Sequence, residues 1–157
     1  MTDYDVIIIG GGVAGLSAAL FVARSSLKTV VFDTEKSSIA KVARVNNYPG
    51  FIEGISGANL ISCLQQHAIK WNAELRKEPI INCVKENERF IVETEKGEKH
   101  SAKTLIFTTN KQIAIAKKLN VATYIEKTEF VKVNEKGETN IENVYAAGRI
   151  TGKKVRR

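Results

Sequence analysis

The sequence predicts an α/β fold in which a parallel sheet is covered on both faces. Two short apolar runs rich in β-branched residues, at positions 6–9 and 29–32, have the pattern of buried parallel strands. A helical pattern lies between them, and a glycine-rich turn joins it to the first run. The chain has 157 residues, of which 43% are hydrophobic and 26% charged, as expected for a folded domain with its own core.

The turn after the first run reads Gly-Gly-Gly-Val-Ala-Gly at positions 10–15 and matches G-x-G-x-x-G. Gly10 allows a tight turn, Gly12 lets a pyrophosphate approach the backbone, and Gly15 lets the helix pack close to the strand. The phosphates would face the free N–H groups of the helix N-terminus. Asp33 follows Gly15 by eighteen residues, where its carboxylate can accept hydrogen bonds from both ribose hydroxyls. This arrangement predicts dinucleotide binding.

Asp33 also bears on the choice of dinucleotide. A carboxylate at this position favours a free 2′-hydroxyl and disfavours a 2′-phosphate, so FAD or NAD is expected rather than NADP. The residues by themselves leave FAD and NAD open. The alternative to both is a glycine turn with only a structural role.

The rest of the chain is predicted to alternate between strands, helices and one long ordered loop. Residues 34–57 form the loop, and long loops in compact domains are usually functional. The remaining expected elements are a helix at 58–71, strands at 80–84, 90–94, 99–102 and 105–109, a short helix within 111–121, a strand and turn at 130–133 and 137–140, and a run at 144–147 that leads into Gly148.

Charge and cysteine content argue against several classes of function. Four of the 24 basic residues lie at 153–157, without interleaved aromatic residues, which indicates a solvated tail rather than a nucleic-acid surface. Cys63 and Cys83 form no C-x-x-C and no metal-ligand spacing, so two reduced thiols of a cytoplasmic protein are expected. The uncharged residues 6–23 are interrupted by glycines, which favours a strand and a helix over a membrane span.

Three segments resemble the low-molecular-weight thioredoxin reductase family. They are residues 4–33, the stretch from 46 to 57 that contains Asn-Tyr-Pro-Gly-Phe, and Ile-Glu-Asn-Val-Tyr-Ala-Ala-Gly at 141–148. Members of that family carry an FAD domain that is split in sequence by an inserted NADPH domain. The inserted domain bears a redox-active C-x-x-C.

The resemblance implies one FAD-binding domain over residues 1–152, followed by a basic tail at 153–157. Its halves, 1–110 and 123–152, correspond to the two FAD halves of the family and are joined directly, without the NADPH domain and its C-x-x-C. The implied fold is a three-layer Rossmann-like FAD/NAD(P)-binding domain. It has a central parallel sheet and a small antiparallel β-meander.

The resemblance also implies which residues hold FAD. The glycine turn would bind the pyrophosphate and Asp33 the adenosine ribose, while the main chain near Ile80 would meet the adenine. Asn47 would hydrogen-bond close to the flavin and the ribityl chain. The full set of implied cofactor-binding residues is Gly10, Gly12, Val13, Ala14, Gly15, Asp33, Asn47, Ile80, Thr108, Thr109, Gly148 and Arg149.

Asn110 and Arg149 depart from the family pattern in ways that bear on the turns around the cofactor. Thr108, Thr109 and Asn110 match its Ala-Thr-Gly, with Asn in place of glycine, and Asn tolerates a left-handed backbone. Gly148 matches the glycine of its closing Gly-Asp pair, and Arg149 stands where the family has the Asp. We expect Arg149 to pair with a phosphate in a bidentate contact.

The residues and the resemblance together predict an FAD-binding flavoprotein with oxidoreductase activity. Its electrons would be exchanged with NAD(P)H or with a redox partner protein, because Cys63 and Cys83 lie on different predicted elements and cannot serve as the family's dithiol. No residue stands out as an acid, base or nucleophile, and no metal, nucleic acid or membrane is expected. The alternative is a non-catalytic FAD- or NAD-binding module or partner subunit. A homodimer that covers apolar surface is a further expectation.

Overall fold

A buried parallel sheet forms the centre of the computed structural model, which describes residues 1–152. Its helices and strands in chain order are β1 (Thr2–Ile9), α1 (Val13–Arg24), β2 (Thr29–Phe32), α2 (Gly57–Lys70), β3 (Glu74–Arg76), β4 (Ile80–Glu86), β5 (Arg89–Thr94), β6 (Lys99–Phe107), α3 (Ala114–Lys118), β7 (Thr123–Ile125), β8 (Glu129–Val131) and β9 (Val144–Ala146). Short 3-10 helices occur at Ser38–Lys41 and Gly148–Thr151.

The parallel strands follow the order β3-β2-β1-β6-β9. Helices α1 and α2 pack on one face of this sheet, where they bury Val6 and Ile8. On the other face lies the largest apolar cluster, to which the antiparallel meander β4-β5-β6 contributes Cys83, Phe90 and Val92. The predicted three-layer α/β architecture with a parallel sheet and a small meander is therefore confirmed.

Strand β6 belongs to both the parallel sheet and the meander. The sequence predicted two strands here, at 99–102 and 105–109, and this prediction was wrong. One edge of β6 pairs with β1 along nearly its whole length, from His100 to Phe107. Its other edge pairs first with β5 in the antiparallel sense and then with β9 in the parallel sense. The polar Lys103 broke the apolar pattern, but its side chain is exposed and lies 3.5 Å from Asp5 across the strand pair.

Other differences from the predicted elements are local. Strand β3 was not predicted, and residues 137–140 include a single bridge from Glu138 to Tyr145. Strands β7 and β8 form a separate two-stranded sheet. The predicted long loop contains the Ser38–Lys41 turn, and the predicted basic tail lies outside the described residues.

A polar cluster lies where the meander covers the edge of the parallel sheet. The Arg76 guanidinium donates to Glu74 at 2.8 Å and to Glu98 at 2.7 Å, and its Nη1 lies 3.1 Å from His100 Nε2. The Tyr4 hydroxyl donates to the second oxygen of Glu74 at 2.7 Å. The hydrogen bond from Arg76 lowers the pKa of Glu98 below its ordinary value. These contacts connect β1, β3 and the turn between β5 and β6.

The environment of His100 in this cluster favours the neutral imidazole. Its side chain is only 2% exposed, and an arginine can only donate, so His100 Nε2 accepts and the ring proton is on Nδ1. Burial, and then the positive charge of Arg76, lower the pKa of His100 below its ordinary value, although nearby carboxylates oppose this shift. His100 therefore binds a proton at a higher pH in the unfolded chain than in the folded chain.

The free energy of unfolding is therefore expected to fall as the pH is lowered from about 7 to about 5.5. His100→Gln keeps an acceptor for Arg76 but does not titrate, so it should flatten this part of the profile. His67→Gln, which alters the exposed histidine of α2, is the matched control and should leave the profile unchanged. Urea unfolding at a series of pH values measures the effect. An unchanged slope in His100→Gln would contradict the assignment.

Candidate functional site

The glycine turn lies between the carboxyl end of β1 and the first turn of α1. Gly10 has a φ of +112°, which only glycine adopts without strain. A Cβ on Gly15 would lie 1.9 Å from the Gly10 carbonyl oxygen, so no larger residue fits there. Thr108, which follows β6, donates its hydroxyl to the Gly10 carbonyl at 2.7 Å and to the Ile9 carbonyl at 3.1 Å. Two strands and a helix therefore meet at this turn.

Gly12 differs from Gly10 and Gly15 because internal packing does not require it. Its backbone has a φ of −79°, which any residue adopts, and a Cβ there would meet Ser37 Oγ only at 3.6 Å. Gly12 is also the residue that precedes the first turn of α1, where free N–H groups and the helix dipole favour an anion. The space that Gly12 leaves open is where a pyrophosphate would approach the backbone, so this turn fits a dinucleotide.

Gly11 is a site residue that the sequence analysis missed. Its N–H donates to Asp33 Oδ1 at 3.0 Å, and a Cβ on Gly11 would lie 2.6 Å from the Asp33 carboxyl carbon. The motif G-x-G-x-x-G permits any residue at this position, so only the run of three glycines hinted at its role. Asp33 is half-buried at the end of β2. A carboxylate has about four acceptor positions, so Asp33 retains capacity for ribose hydroxyls.

The second half of the chain reaches the same site through the Gly148–Thr151 turn. Gly148 has a φ of +78°, and a Cβ on it would lie 3.0 Å from the Ala14 side chain in the first turn of α1. The exposed Arg149 donates from Nη1 to Ser38 Oγ at 3.2 Å. The guanidinium therefore adds positive charge close to the N-terminus of α1.

The predicted site residues divide into two groups. The structure brings together most of them around the start of α1, namely Gly10, Gly12, Val13, Ala14, Gly15, Asp33, Thr108, Gly148 and Arg149. Within residues 1–152, no hydrogen bond joins Asn47, Ile80 or Thr109 to that group. Asn47 is exposed on the 46–52 loop, Ile80 is buried at the start of β4, and Thr109 donates to the Gln112 carbonyl.

Asn110 occupies the predicted left-handed position after Thr109. Its φ is +59°, so the replacement of glycine by asparagine is accommodated in the turn. The described part of the chain holds no group of three or more His, Cys, Asp or Glu residues suited to a metal ion. In residues 1–152, no helix has the length and apolar character needed to cross a membrane.

The cysteines are separated in the fold. Cys63 is exposed on α2, whereas Cys83 is buried in β4 and packs in the cluster beneath the meander. Burial raises the pKa of Cys83 to about 12, so this thiol is unreactive at neutral pH. The two sulfurs are on opposite faces of the parallel sheet and form no redox pair.

The order of the parallel strands and the glycine turn at the end of β1 define a Rossmann-like dinucleotide-binding domain. The model of the pyridine nucleotide-disulphide oxidoreductase family matches residues 4–109. The chain belongs to this family.

Individual relatives include thioredoxin reductases. The enzyme of Streptomyces coelicolor is 38% identical over 111 residues, which are 69% of this chain and 34% of that protein. Among solved structures, a thioredoxin reductase from Gloeobacter violaceus has a TM-score of 0.66 and 30% identity, and the match covers 70% of this chain and 35% of that one. The chain therefore spans about a third of the length of such relatives, and the resemblance found in its sequence segments is confirmed.

A further solved structure resembles this chain over nearly its whole length. The atypical thioredoxin reductase of Desulfovibrio vulgaris Hildenborough has a TM-score of 0.86, and the match covers 97% of this chain and 91% of that one. The two sequences are only 18% identical, so this likeness concerns the fold.

Gly12→Ala and Gly15→Ala are expected to separate ligand binding from folding. The first substitution leaves the fold intact but places a methyl group where a dinucleotide phosphate would lie, so affinity for the ligand should fall by about tenfold or more. The second overpacks the helix against the turn and should destabilise the fold by about 2 kcal/mol or more. Thermal unfolding and ligand titration of both variants measure this. Equal stability losses would contradict the distinction.

Proposed function

We propose that this chain binds FAD and acts as an oxidoreductase that exchanges electrons with a separate donor or acceptor. The observation that carries the proposal is the space beside Gly12, together with the Asp33 carboxylate that Gly11 orients next to it. Membership of the pyridine nucleotide-disulphide oxidoreductase family implies a flavin cofactor and supports FAD over NAD. FAD, when bound, would supply the redox chemistry, and the protein would bind and orient it.

The proposed contacts follow the structure of the turn. The pyrophosphate lies against Gly10, Gly12 and the first turn of α1, where Val13, Ala14 and Gly15 present their N–H groups. Asp33 binds the adenosine ribose. The remaining proposed positions, taken from the family resemblance, are Ile80 for the adenine, Asn47 for the flavin and ribityl chain, and Thr108, Thr109 and Gly148 in the turns that border the site.

Residues 1–152 form one FAD-binding domain in this proposal. Its halves, 1–110 and 123–152, meet in the parallel sheet, because β9 of the second half pairs with β6 of the first. The segment between them holds α3, which packs against β4 of the meander. The short direct connection is therefore compatible with a continuous core.

Arg149 replaces a family carboxylate and gives the pyrophosphate site a positive side chain. The guanidinium is exposed and makes one hydrogen bond, to Ser38. It would turn towards an anion at the N-terminus of α1 and bind it through a charge-assisted contact. This substitution therefore favours retention of a ligand that carries two phosphates.

The electron donor or acceptor is proposed to be NAD(P)H or a redox partner protein. A dithiol relay within this chain would need two neighbouring thiols, and Cys63 and Cys83 lie on different layers. Two free thiols in one chain fit a reducing compartment such as the cytoplasm. The chain by itself is expected to show no thioredoxin reductase activity. A homodimer stays a prediction.

The visible absorption spectrum of the purified protein tests the proposed cofactor. We expect a flavin band, release of FAD on denaturation, and bleaching of the band when NADH or NADPH is added without oxygen. If neither NADH, NADPH nor a reduced partner protein bleaches the flavin band, the result would favour the alternative function, a non-catalytic FAD-binding module. A colourless protein that takes up no added FAD would refute FAD binding.

Charge reversal at Arg149 tests the phosphate contact. Arg149→Asp should weaken FAD binding by about tenfold or more, because it removes the proposed charge-assisted contact with the phosphates and places a negative charge beside them. Arg24→Asp makes the same change at the opposite end of α1 and should leave the affinity within about twofold of the unaltered protein. Fluorescence titration with FAD gives both values. Unchanged or tighter binding by Arg149→Asp would refute the contact.

A further inference from the structure

The ribose-binding position depends on a very short edge strand. Strand β3 has three residues and pairs with β2 at the end of the sheet. At its last residue, the Arg76 carbonyl accepts the Asp33 N–H at 2.9 Å. Short edge strands open easily, since few hydrogen bonds and contacts hold them. The position of the Asp33 backbone therefore depends on the contacts that hold the end of β3 against the sheet.

The side chain of Arg76 holds the end of β3 in place through contacts with the meander. This side chain is only 28% exposed, and its guanidinium contacts Glu74 on β3 and Glu98 in the turn between β5 and β6. The backbone of Glu98 is held by Thr94, because the Glu98 N–H donates to Thr94 Oγ1 at 3.2 Å and the Glu98 carbonyl accepts the Thr94 N–H at 2.9 Å. The third partner, His100, lies on β6 and is buried.

We propose that Arg76 is the positioning residue for the adenosine ribose: its carbonyl holds Asp33 in place, and its guanidinium fastens the end of β3 to the meander. This inference rests on the proposed function, because it assigns Asp33 to a ribose. In this proposal Arg76 acts through Asp33, whose N–H its carbonyl accepts, and not by contact with the ligand. A lysine in its place keeps the charge but cannot reach Glu74 and Glu98 with one planar fork.

The contacts of Arg76 with Glu98 and His100 are also sensitive to pH. His100 Nε2 lies 3.1 Å from Arg76 Nη1 and 3.5 Å from Glu98 Oε2, so a protonated ring would donate to Glu98 and lose its contact with Arg76. The titratable and charged groups that face His100 are Tyr4 on β1, Glu74 and Arg76 on β3, Glu78 in the segment before β4, and Glu98 in the β5–β6 turn. Ribose recognition therefore weakens in acid as His100 is protonated.

The test compares two competitors that differ by one ribose hydroxyl. The full chain with bound FAD is titrated with ADP and with 2′-deoxy-ADP, and displaced FAD is followed by its fluorescence. The unaltered protein should prefer ADP by about tenfold, the effect of one hydrogen bond to a charged acceptor. Arg76→Lys should reduce this ratio towards one, and Glu98→Gln should reduce it in part if Arg76→Lys does not fold.

A matched control is available at the other end of the sheet. Arg89 is a meander arginine with 31% exposure that pairs with Asp3 near the start of β1, at the opposite end of that strand from the glycine turn. Its guanidinium also donates to the Tyr4 backbone carbonyl at 3.3 Å, and within residues 1–152 it makes no hydrogen bond with Glu74, Glu98 or His100. Arg89→Lys should leave the ratio of ADP to 2′-deoxy-ADP affinity unchanged. The ratio in the unaltered protein should also fall between about pH 7 and about pH 5.5, and His100→Gln should remove this fall.

Hydrogen exchange gives a readout that needs no ligand. The Asp33 amide should exchange faster in Arg76→Lys than in the unaltered protein, and Arg89→Lys should show no change at Asp33. The role of Arg76 would be overturned if the Asp33 amide of Arg76→Lys exchanged as slowly as in the unaltered protein, or if the ratio of ADP to 2′-deoxy-ADP affinity were unchanged. Either result would leave the proposal of FAD binding intact. An unaltered protein that binds neither FAD nor ADP would overturn both the proposed function and this inference.

Discussion

The structure depends on the close approach of two backbone segments at the glycine turn. The first turn of α1 can pack against the end of β1 only because Gly15 carries no side chain opposite the Gly10 carbonyl. Thr108 then ties the end of β6 to the same carbonyl. The turn therefore sets the direction of α1, the end of the strand beside it, and the free N–H groups that point away from both. A larger residue at Gly15 would move all of these together.

The meander contributes to the site as well as to the core. Strand β6 begins in the meander and ends beside the glycine turn, so one continuous strand couples the two layers. The Arg76 cluster forms a second connection, at the edge where β3 is short. An arginine suits this place because its planar fork satisfies two carboxylates at once, and a histidine beside it makes the connection depend on protonation.

Local patterns were sufficient for some elements and not for others. The strands at 6–9 and 29–32 and the helix after the glycine turn were predictable, because their periodicity and turn residues depend on nearby sequence. Strand β3 was not, since its three residues hold a single apolar side chain, Leu75, between Glu74 and Arg76, which is too short a pattern to predict a strand without its partner β2. Gly11 was not required by the motif, because its neighbour Asp33 is distant in sequence and close only in the fold.

The sequence by itself determined the class of fold, the position of the dinucleotide turn and the family resemblance, because glycines and apolar periodicity encode local backbone geometry. Only the tertiary structure decided that β6 is one strand with three partners, that Arg149 contacts Ser38, and that Arg76 links Asp33 to the meander. Apart from the pairing of β5 with β6, these contacts join residues far apart in the chain. Their geometry depends on how the layers pack, which no local pattern specifies.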